Sequence, residues 1–259
     1  MYPDNRPIGV FDSGVGGISV LAELLRLMPN ENYIYYGDSH NAPYGVRPCD
    51  EVKELTIATA DKLLSMGCKC LVIACNTATS AAVRPLRAAH PDIPVIGIEP
   101  ALKPAVLNKG NGYVLVLATA VTLAEDKFKR LMAQYDHQAR IHTLACPGIV
   151  EFVEKGITEG PELTSYLTDL FKDYLDTPPD CVVLGCTHYP FVGECIKTIF
   201  GSNTQIFDGG EGTARETRHQ LTINDICNDS TAQGSVQIFN SDADYIRIAE
   251  KLLKIRQGR

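Results

Sequence analysis

Two cysteines each follow a short apolar segment and are themselves followed by polar residues. Cys75 ends CLVIAC and precedes Asn76, whereas Cys186 ends CVVLGC and precedes Thr187. A free cysteine is by default a small buried hydrophobe, but a thiol beside hydroxyl and amide donors can be held as a thiolate. One reactive cysteine would suggest a nucleophile. Two of them, in matching places, suggest a pair of acid/base groups that act on a small molecule from either side.

Metal binding and a disulfide are the alternative roles for these thiols. Cys70 and Cys75 share a C-x₄-C spacing with Cys181 and Cys186. Each pair spans one extended segment, so its α-carbons should lie roughly 16 Å apart, too far for two zinc–sulfur bonds of about 2.3 Å. A metal site that combines Cys75, Cys186 and His188 remains an alternative, although we expect no metal. The nine cysteines are an odd number in a chain without an export signal, which argues against a disulfide framework.

The elements that must position these thiols alternate between strand and helix. Apolar segments at 8–11, 33–38, 70–75 and 94–98 are separated by helical patterns, and the alternation restarts after residue 100 with 113–119 and 181–186. Segments that are apolar on both faces are typical of parallel sheets covered by helices. We predict an α/β fold of two similar lobes, each a mostly parallel sheet covered by helices, with the active site in the cleft between them at the carboxyl ends of the strands.

The predicted domains are residues 1–99, the first lobe, and 100–207, the second. Residues 208–259 contain one strand-like segment, VQIF, and a final helix, too little for a third domain. We expect this C-terminal segment to pack back on the first lobe.

Two further motifs follow strands of the first lobe. FDSGVGGIS places Asp12 and Ser13 at a glycine turn before a helix, where backbone N–H groups can bind an anion. A nucleotide-binding interpretation is disfavoured, because no Gly-Lys-Ser/Thr follows and the Asp12 carboxylate would crowd a phosphate. DSHNAPYG, a loop, brings Tyr44 and Gly45 to the same edge of the sheet.

Composition excludes several classes of protein. The formal net charge of −7 and the absence of a basic cluster argue against a nucleic-acid partner. No apolar run approaches the roughly 18 residues of a membrane span. We therefore expect a cytoplasmic protein that acts on a small molecule.

Five motifs together resemble the glutamate racemases of the aspartate/glutamate racemase superfamily, in that family's order: IGVFDSGVGGISVL, YYGDSHNAPYG, LVIACNTATS, LGCTHYP and DGGEGTA. The resemblance spans nearly the whole chain. It implies a cofactor-independent isomerase of two α/β lobes that interconverts L- and D-glutamate and supplies D-glutamate for peptidoglycan. It also implies a homodimer.

The same resemblance implies roles for individual residues. Cys75 would remove the α-proton of D-glutamate and Cys186 that of L-glutamate, with Asp12 and His188 as auxiliary acid/base residues and Glu154 as a further acid. The substrate-binding positions would be Asp12, Ser13, Tyr44, Gly45, Asn76, Thr77, Thr187 and His188. One departure is Glu151, where a proline is common in the family, so an extra carboxylate competes with Glu154 for the acidic role.

Other activities remain as alternatives. A racemase for aspartate or another amino acid would use the same thiols, and a two-lobed amino-acid-binding protein would need the backbone donors but not both cysteines. Pyridoxal phosphate is disfavoured because the motifs contain no lysine for a Schiff base. Relatives that depend on a cell-wall nucleotide activator usually carry an N-terminal extension, and the early position of Asp12 favours the activator-free kind.

Overall fold

The computed structural model describes residues 4–110 and 112–258. This part of the chain contains nine strands with one or two α-helices between successive strands, eleven α-helices in all. They are, in order, β1 (Ile8–Asp12), α1 (Ile18–Leu27), β2 (Tyr33–Gly37), α2 (Cys49–Ser65), β3 (Cys70–Ile73), α3 (Asn76–Ala89), β4 (Val95–Gly97), α4 (Leu102–Lys109), β5 (Tyr113–Ala118), α5 (Ala120–Ala124), α6 (Asp126–Ala133), β6 (Arg140–Ala145), α7 (Ile149–Glu154), α8 (Pro161–Leu170), β7 (Cys181–Leu184), α9 (Gly193–Phe200), β8 (Gln205–Asp208), α10 (Gly210–Ile223), β9 (Val236–Asn240) and α11 (Asp244–Gln257). They form two compact units. The second is Pro100–Gly209, and the first contains the residues on either side of it.

The first unit contains a five-stranded sheet in the order β4-β3-β1-β2-β9, and every pairing in it is parallel. All residues of β1, β2 and β3 are buried, as expected for strands covered on both faces. The apolar face of α1 contributes Ile18, Leu21 and Leu24, which are fully buried. Because β9 pairs with β2, the C-terminal residues extend the same sheet.

The second unit contains a four-stranded sheet in the order β6-β5-β7-β8, again parallel throughout. Strands β5 and β7 are completely buried, whereas the edge strand β6 is largely exposed. Leu102 and Val106 of α4 and Phe128 of α6 pack with these strands in a buried core. The predicted fold class, parallel sheets covered by helices in two similar lobes, is confirmed.

Two details differ from the sequence pattern. The helical pattern VTLAEDKFKRLMAQY is divided into α5 and α6 by Glu125, whose backbone is extended at φ −70° and ψ 140°. The carbonyl of Glu125 then accepts a hydrogen bond from the N–H of Lys129, so the residue starts the second helix. Strand β3 ends at Ile73, two residues earlier than the apolar pattern suggested, and this frees Cys75 to begin a helix.

Among the described residues, no helix is both long enough and apolar enough to span a bilayer.

Candidate active site

All strands of each unit run parallel, so their carboxyl ends meet at one edge of each sheet. We describe the polar groups at these edges as two clusters. The Cys75 cluster of the first unit comprises Asp12, Ser13, Asp38, Tyr44, Gly45, Cys75, Asn76 and Thr77. The Cys186 cluster of the second unit comprises Thr119, Cys146, Glu154, Cys186, Thr187 and His188.

Cys75 is the N-cap residue of α3, which is 14 residues long. Its sulfur accepts a hydrogen bond from the backbone N–H of Ala78 at 3.5 Å, and only 7% of the residue is exposed. An N-cap position carries the positive end of the helix dipole and unpaired N–H donors. The local backbone therefore stabilises negative charge on this sulfur.

Asp12 is the last residue of β1, and its side chain is fully buried. Its carboxylate accepts a hydrogen bond from the N–H of Gly14 at 3.0 Å, while the carbonyl of Gly14 accepts one from the hydroxyl of Tyr35 at 2.7 Å. A Cβ at Gly17 would lie 2.5 Å from the Cβ of Asp12, so a glycine is needed where the turn passes this side chain. The glycine turn thus fixes the Asp12 carboxylate rather than merely linking β1 to α1.

Asp38 organises the loop that carries Tyr44 and Gly45. Its carboxylate is almost fully buried and accepts hydrogen bonds from the hydroxyl of Tyr44 at 2.7 Å and from the amide of Asn41 at 3.0 and 3.1 Å. Burial, the hydrogen bond to Asp38 and nearby negative charge, including that of Cys75 and Asp12, raise the pKa of Tyr44. The phenol is therefore neutral, and its surroundings include the thiol and the Asp12 carboxylate.

The other predicted binding residues of the first unit lie beside these groups. Ser13 follows Asp12 and is buried, Gly45 follows Tyr44 and is partly exposed, and Thr77 is buried in the first turn of α3. Within the described part of the chain, the buried carboxamide oxygen of Asn76 accepts no hydrogen bond. A buried acceptor without a donor costs about 1–3 kcal/mol, which a ligand donor would recover.

In the Cys186 cluster, three side chains form a chain of polar contacts. The sulfur of Cys186 lies 3.6 Å from Nδ1 of His188, and Nε2 of the same imidazole lies 2.6 Å from Oε1 of Glu154. Gly185 permits the approach of this segment to β5, because a Cβ there would lie 2.8 Å from the carbonyl oxygen of Leu117. Cys186 and His188 lie in the segment that follows β7, and Glu154 is the last residue of α7.

His188 is only 4% exposed. Burial by itself lowers the pKa of the imidazole, but the hydrogen bonds and charges of Cys186 and Glu154 outweigh burial and hold the pKa well above its usual value. The protonated ring can donate at both nitrogens, to the sulfur on one side and to the carboxylate on the other. His188 is therefore suited to stabilise a thiolate and to hold a proton next to it.

This ionisation should make folding stability depend on pH. A folded-state pKa above the unfolded value of about 6.5 stabilises the protein fully below that pH, and the stabilisation is lost as pH rises through the folded pKa, at up to about 1.4 kcal/mol per pH unit. We expect the difference in unfolding free energy between the wild-type protein and His188→Asn, measured in urea, to shrink steadily above pH 6.5. A difference that grows with pH would contradict this assignment.

Glu151 and Glu154 are the two carboxylates that the sequence left as alternatives for the acidic role, and their surroundings differ. Glu154 contacts His188, whereas Glu151 is exposed in the first turn of α7. The contact with His188 therefore favours Glu154 over Glu151 for the acidic role that the resemblance implies.

Three residues at these edges were missed in the sequence. Thr119 follows β5, and its hydroxyl caps α5 through the N–H of Thr122 at 3.2 Å. Cys146 follows β6, and burial, with a smaller effect of charge on Cys186, raises the pKa of this thiol to about 12. Thr119 is the first residue after β5 and Cys146 the first after β6, and a position at the carboxyl end of a strand is the signal that could have identified them. Asp38, the first residue after β2, is the third.

No three His, Cys, Asp or Glu side chains within residues 4–110 and 112–258 are grouped so that they could hold a metal ion.

Comparisons with known proteins agree with these motifs. The chain is 49% identical over 257 residues to the glutamate racemase of Clostridium acetobutylicum, covering 98% of this chain and 100% of that protein. It is 47% identical over 254 residues to the glutamate racemase of Clostridium perfringens, with 97% and 98% covered. The crystal structure of Escherichia coli glutamate racemase with L-glutamate and the activator UDP-MurNAc-Ala superimposes with a TM-score of 0.83 at 32% identity, with 98% of this chain and 95% of that chain covered.

The sequence profile of the Asp/Glu/Hydantoin racemases matches residues 8–217. Taken with the thiol at the carboxyl end of each sheet, this match means that the chain belongs to the Asp/Glu/Hydantoin racemase family.

Proposed function

We propose that this protein is a cofactor-independent glutamate racemase in which Cys75 and Cys186 act as two bases on opposite faces of the same α-carbon. The observation that carries the proposal is that each thiol has its own surroundings suited to a proton transfer. Cys75 caps a helix beside the buried Asp12 loop, and Cys186 begins the contact chain to His188 and Glu154. The relatives that match the whole chain are glutamate racemases.

With L-glutamate, the thiolate of Cys186 accepts the α-proton and the electron pair moves into the α-carboxylate. The thiol of Cys75 then delivers its proton to the opposite face, and D-glutamate leaves. The sulfurs have exchanged protonation states, so the enzyme is ready for the reverse reaction or returns through exchange with solvent. An α-proton is very weakly acidic, so both thiols must be well positioned. Hydrogen-bond donors must also stabilise the negative charge that develops on the α-carboxylate.

The surrounding polar groups suggest how the substrate is held. The Asp12 carboxylate suits the α-ammonium group, and so does the carboxamide oxygen of Asn76, which is buried and accepts no hydrogen bond within the described part of the chain. The hydroxyls and backbone N–H groups of Thr77 and Thr187 suit the α-carboxylate. Ser13, Gly45 and the backbone N–H of Tyr44 suit the side-chain carboxylate as donors, while the phenol of Tyr44 donates its own hydrogen to Asp38, which holds this loop in place.

Family membership supports three broader proposals: D-glutamate made here serves peptidoglycan synthesis, the protein works in the cytoplasm, and it forms a homodimer.

The proposal is tested by incubating the purified protein with L-glutamate in deuterium oxide without added cofactor. We expect the optical rotation to decay to zero while the α-hydrogen is replaced by deuterium, with a kcat on the order of 1–100 s⁻¹. L-Aspartate serves as the parallel substrate. Turnover of aspartate with glutamate unchanged would instead identify an aspartate racemase, and binding of glutamate without exchange would identify a binding protein.

A further inference from the structure

Two consecutive residues, His188 and Tyr189, hold the two ends of the short helix α7. His188 contacts Glu154, the last residue of α7, through Nε2 at 2.6 Å. The hydroxyl of Tyr189 donates to the carbonyl of Cys146 at 3.0 Å, three residues before α7 begins. In the segment that carries Cys186, His188 therefore contacts the end of α7 and the next residue, Tyr189, holds the turn before its start.

The turn between Cys146 and α7 leaves little freedom for this connection. Gly148, the N-cap of α7, has φ +84°, and a Cβ there would lie 2.6 Å from the hydroxyl oxygen of Tyr166. That hydroxyl also donates to the carbonyl of Pro147. Two tyrosines thus hold two consecutive carbonyls of the turn, Tyr189 from a fully buried position and Tyr166 from a partly exposed one.

A shift at the turn would reach Glu154 directly. Helix α7 has six residues, about 9 Å at 1.5 Å per residue, and Ile149 and Val153 are fully buried. So short a packed helix moves as a unit. A charge-assisted hydrogen bond between an imidazolium and a carboxylate is strong only at short distance and good alignment.

The hydroxyl of Tyr189 is a permanent donor in this setting. Burial, reinforced by charge on Cys186, Cys146, Tyr166 and Glu151, raises the pKa of Tyr189 well above its usual value. The phenol is therefore neutral wherever the enzyme works, and its hydrogen bond to the Cys146 carbonyl does not change with pH.

We propose that Tyr189 is a positioning residue that aligns Glu154 with His188, and through His188 tunes the reactive sulfur of Cys186. The inference rests on the proposed function for its kinetic consequences. It goes beyond that function by assigning a role to a buried phenol that touches no reacting atom.

The first test is Tyr189→Phe, which removes one oxygen and keeps the ring. We expect kcat with L-glutamate to fall about tenfold, which corresponds to the loss of one hydrogen bond worth roughly 1.4 kcal/mol. KM should stay within about twofold of the wild-type value. The matched control is Tyr33→Phe, because that hydroxyl is also fully buried and donates only to the carbonyls of Leu24 and Met28. The control should retain wild-type kcat.

A double-mutant cycle with Glu154→Gln separates positioning from a general loss of stability. If Tyr189 acts through Glu154, then Tyr189→Phe should lower kcat less than about twofold in the Glu154→Gln background. An equal factor in both backgrounds would overturn the proposal. If Tyr189→Phe does not fold, Tyr166→Phe can replace it, because it releases the neighbouring Pro147 carbonyl. We expect Tyr166→Phe to lower kcat by a smaller factor, and only when Glu154 is present.

A spectroscopic measurement does not depend on activity. The imidazole of His188 can be titrated by NMR and assigned by the signal missing in His188→Asn, one of six histidines in the chain. We expect a lower pKa of His188 in Tyr189→Phe and no change in Tyr33→Phe. An unchanged pKa of His188 together with an unchanged kcat in Tyr189→Phe would overturn the positioning role. An inactive wild-type protein would overturn the proposed function, and the titration of His188 would then decide the role of Tyr189 by itself.

Discussion

Replacing Cys75 or Cys186 by serine is expected to lower kcat for glutamate racemisation by about 10³-fold or more, while the fold remains intact. Serine keeps the shape of the side chain, but its hydroxyl is far less acidic than a thiol, so the proton transfer at that face loses its base or its acid. The sulfur of Cys75 accepts from the N–H of Ala78 and that of Cys186 contacts His188, and a serine hydroxyl can make both of these contacts.

The control for both variants is Cys49→Ser, an exposed thiol at the start of α2. It should retain wild-type rates. Circular dichroism spectra of all three variants should match the wild-type spectrum. A Cys75 or Cys186 variant with near-normal rates would show that the chemistry uses only one of the thiols, or neither.

Replacing Lys69 by methionine is expected to cost about 3–5 kcal/mol of unfolding free energy, a large part of the 5–15 kcal/mol typical of a domain. The ammonium group of Lys69 is completely buried, 2.7 Å from the carboxylate of Glu31 and 2.7 Å from the carbonyl oxygen of Asp4. Glu31 also accepts a hydrogen bond at 2.7 Å from the N–H of Asn228 in the C-terminal segment. Methionine preserves the volume but leaves a buried carboxylate without its cation.

Urea denaturation measures this loss. Lys53→Met, an exposed lysine on α2, is the matched control and should change the unfolding free energy by less than about 0.5 kcal/mol. Because the main penalty comes from the uncompensated charge, the double variant Lys69→Met with Glu31→Gln should be more stable than Lys69→Met alone. A double variant with a lower unfolding free energy than Lys69→Met would mean that lost packing around Lys69, rather than the uncompensated charge of Glu31, explains the loss of stability.

Much of the architecture was predictable because its signals are local. Apolar segments such as 8–11 and 70–75 could be recognised as strands from their composition, and parallel pairing follows because a helix lies between successive strands. The break at Glu125 was not predictable, because glutamate is a good helix former and only the surrounding structure extends it. Similarly, the apolar pattern continues to Cys75, although the strand ends at Ile73.

The candidate site was predictable to the extent that its residues directly follow strands. Cys75, Asp12 and Cys186 were found in this way. The contact between Glu154 and His188 joins residues 34 positions apart, so no local pattern shows it, and only the family resemblance favoured Glu154 over Glu151. Tyr189 was invisible for the same reason, since its hydrogen bond to Cys146 joins residues 43 positions apart, in segments that follow two strands separated by β5 in the sheet.

The central claim, that two thiols act on opposite faces, is tested most directly by the isotope content of the product formed in the first few per cent of reaction in deuterium oxide. Starting from protiated L-glutamate, we predict that D-glutamate carries one deuterium at the α-carbon in every molecule, while the remaining L-glutamate is still protiated. Retention of the substrate's own α-hydrogen in the D-glutamate would mean that one base both removes and returns the proton. That result would contradict the two-base mechanism.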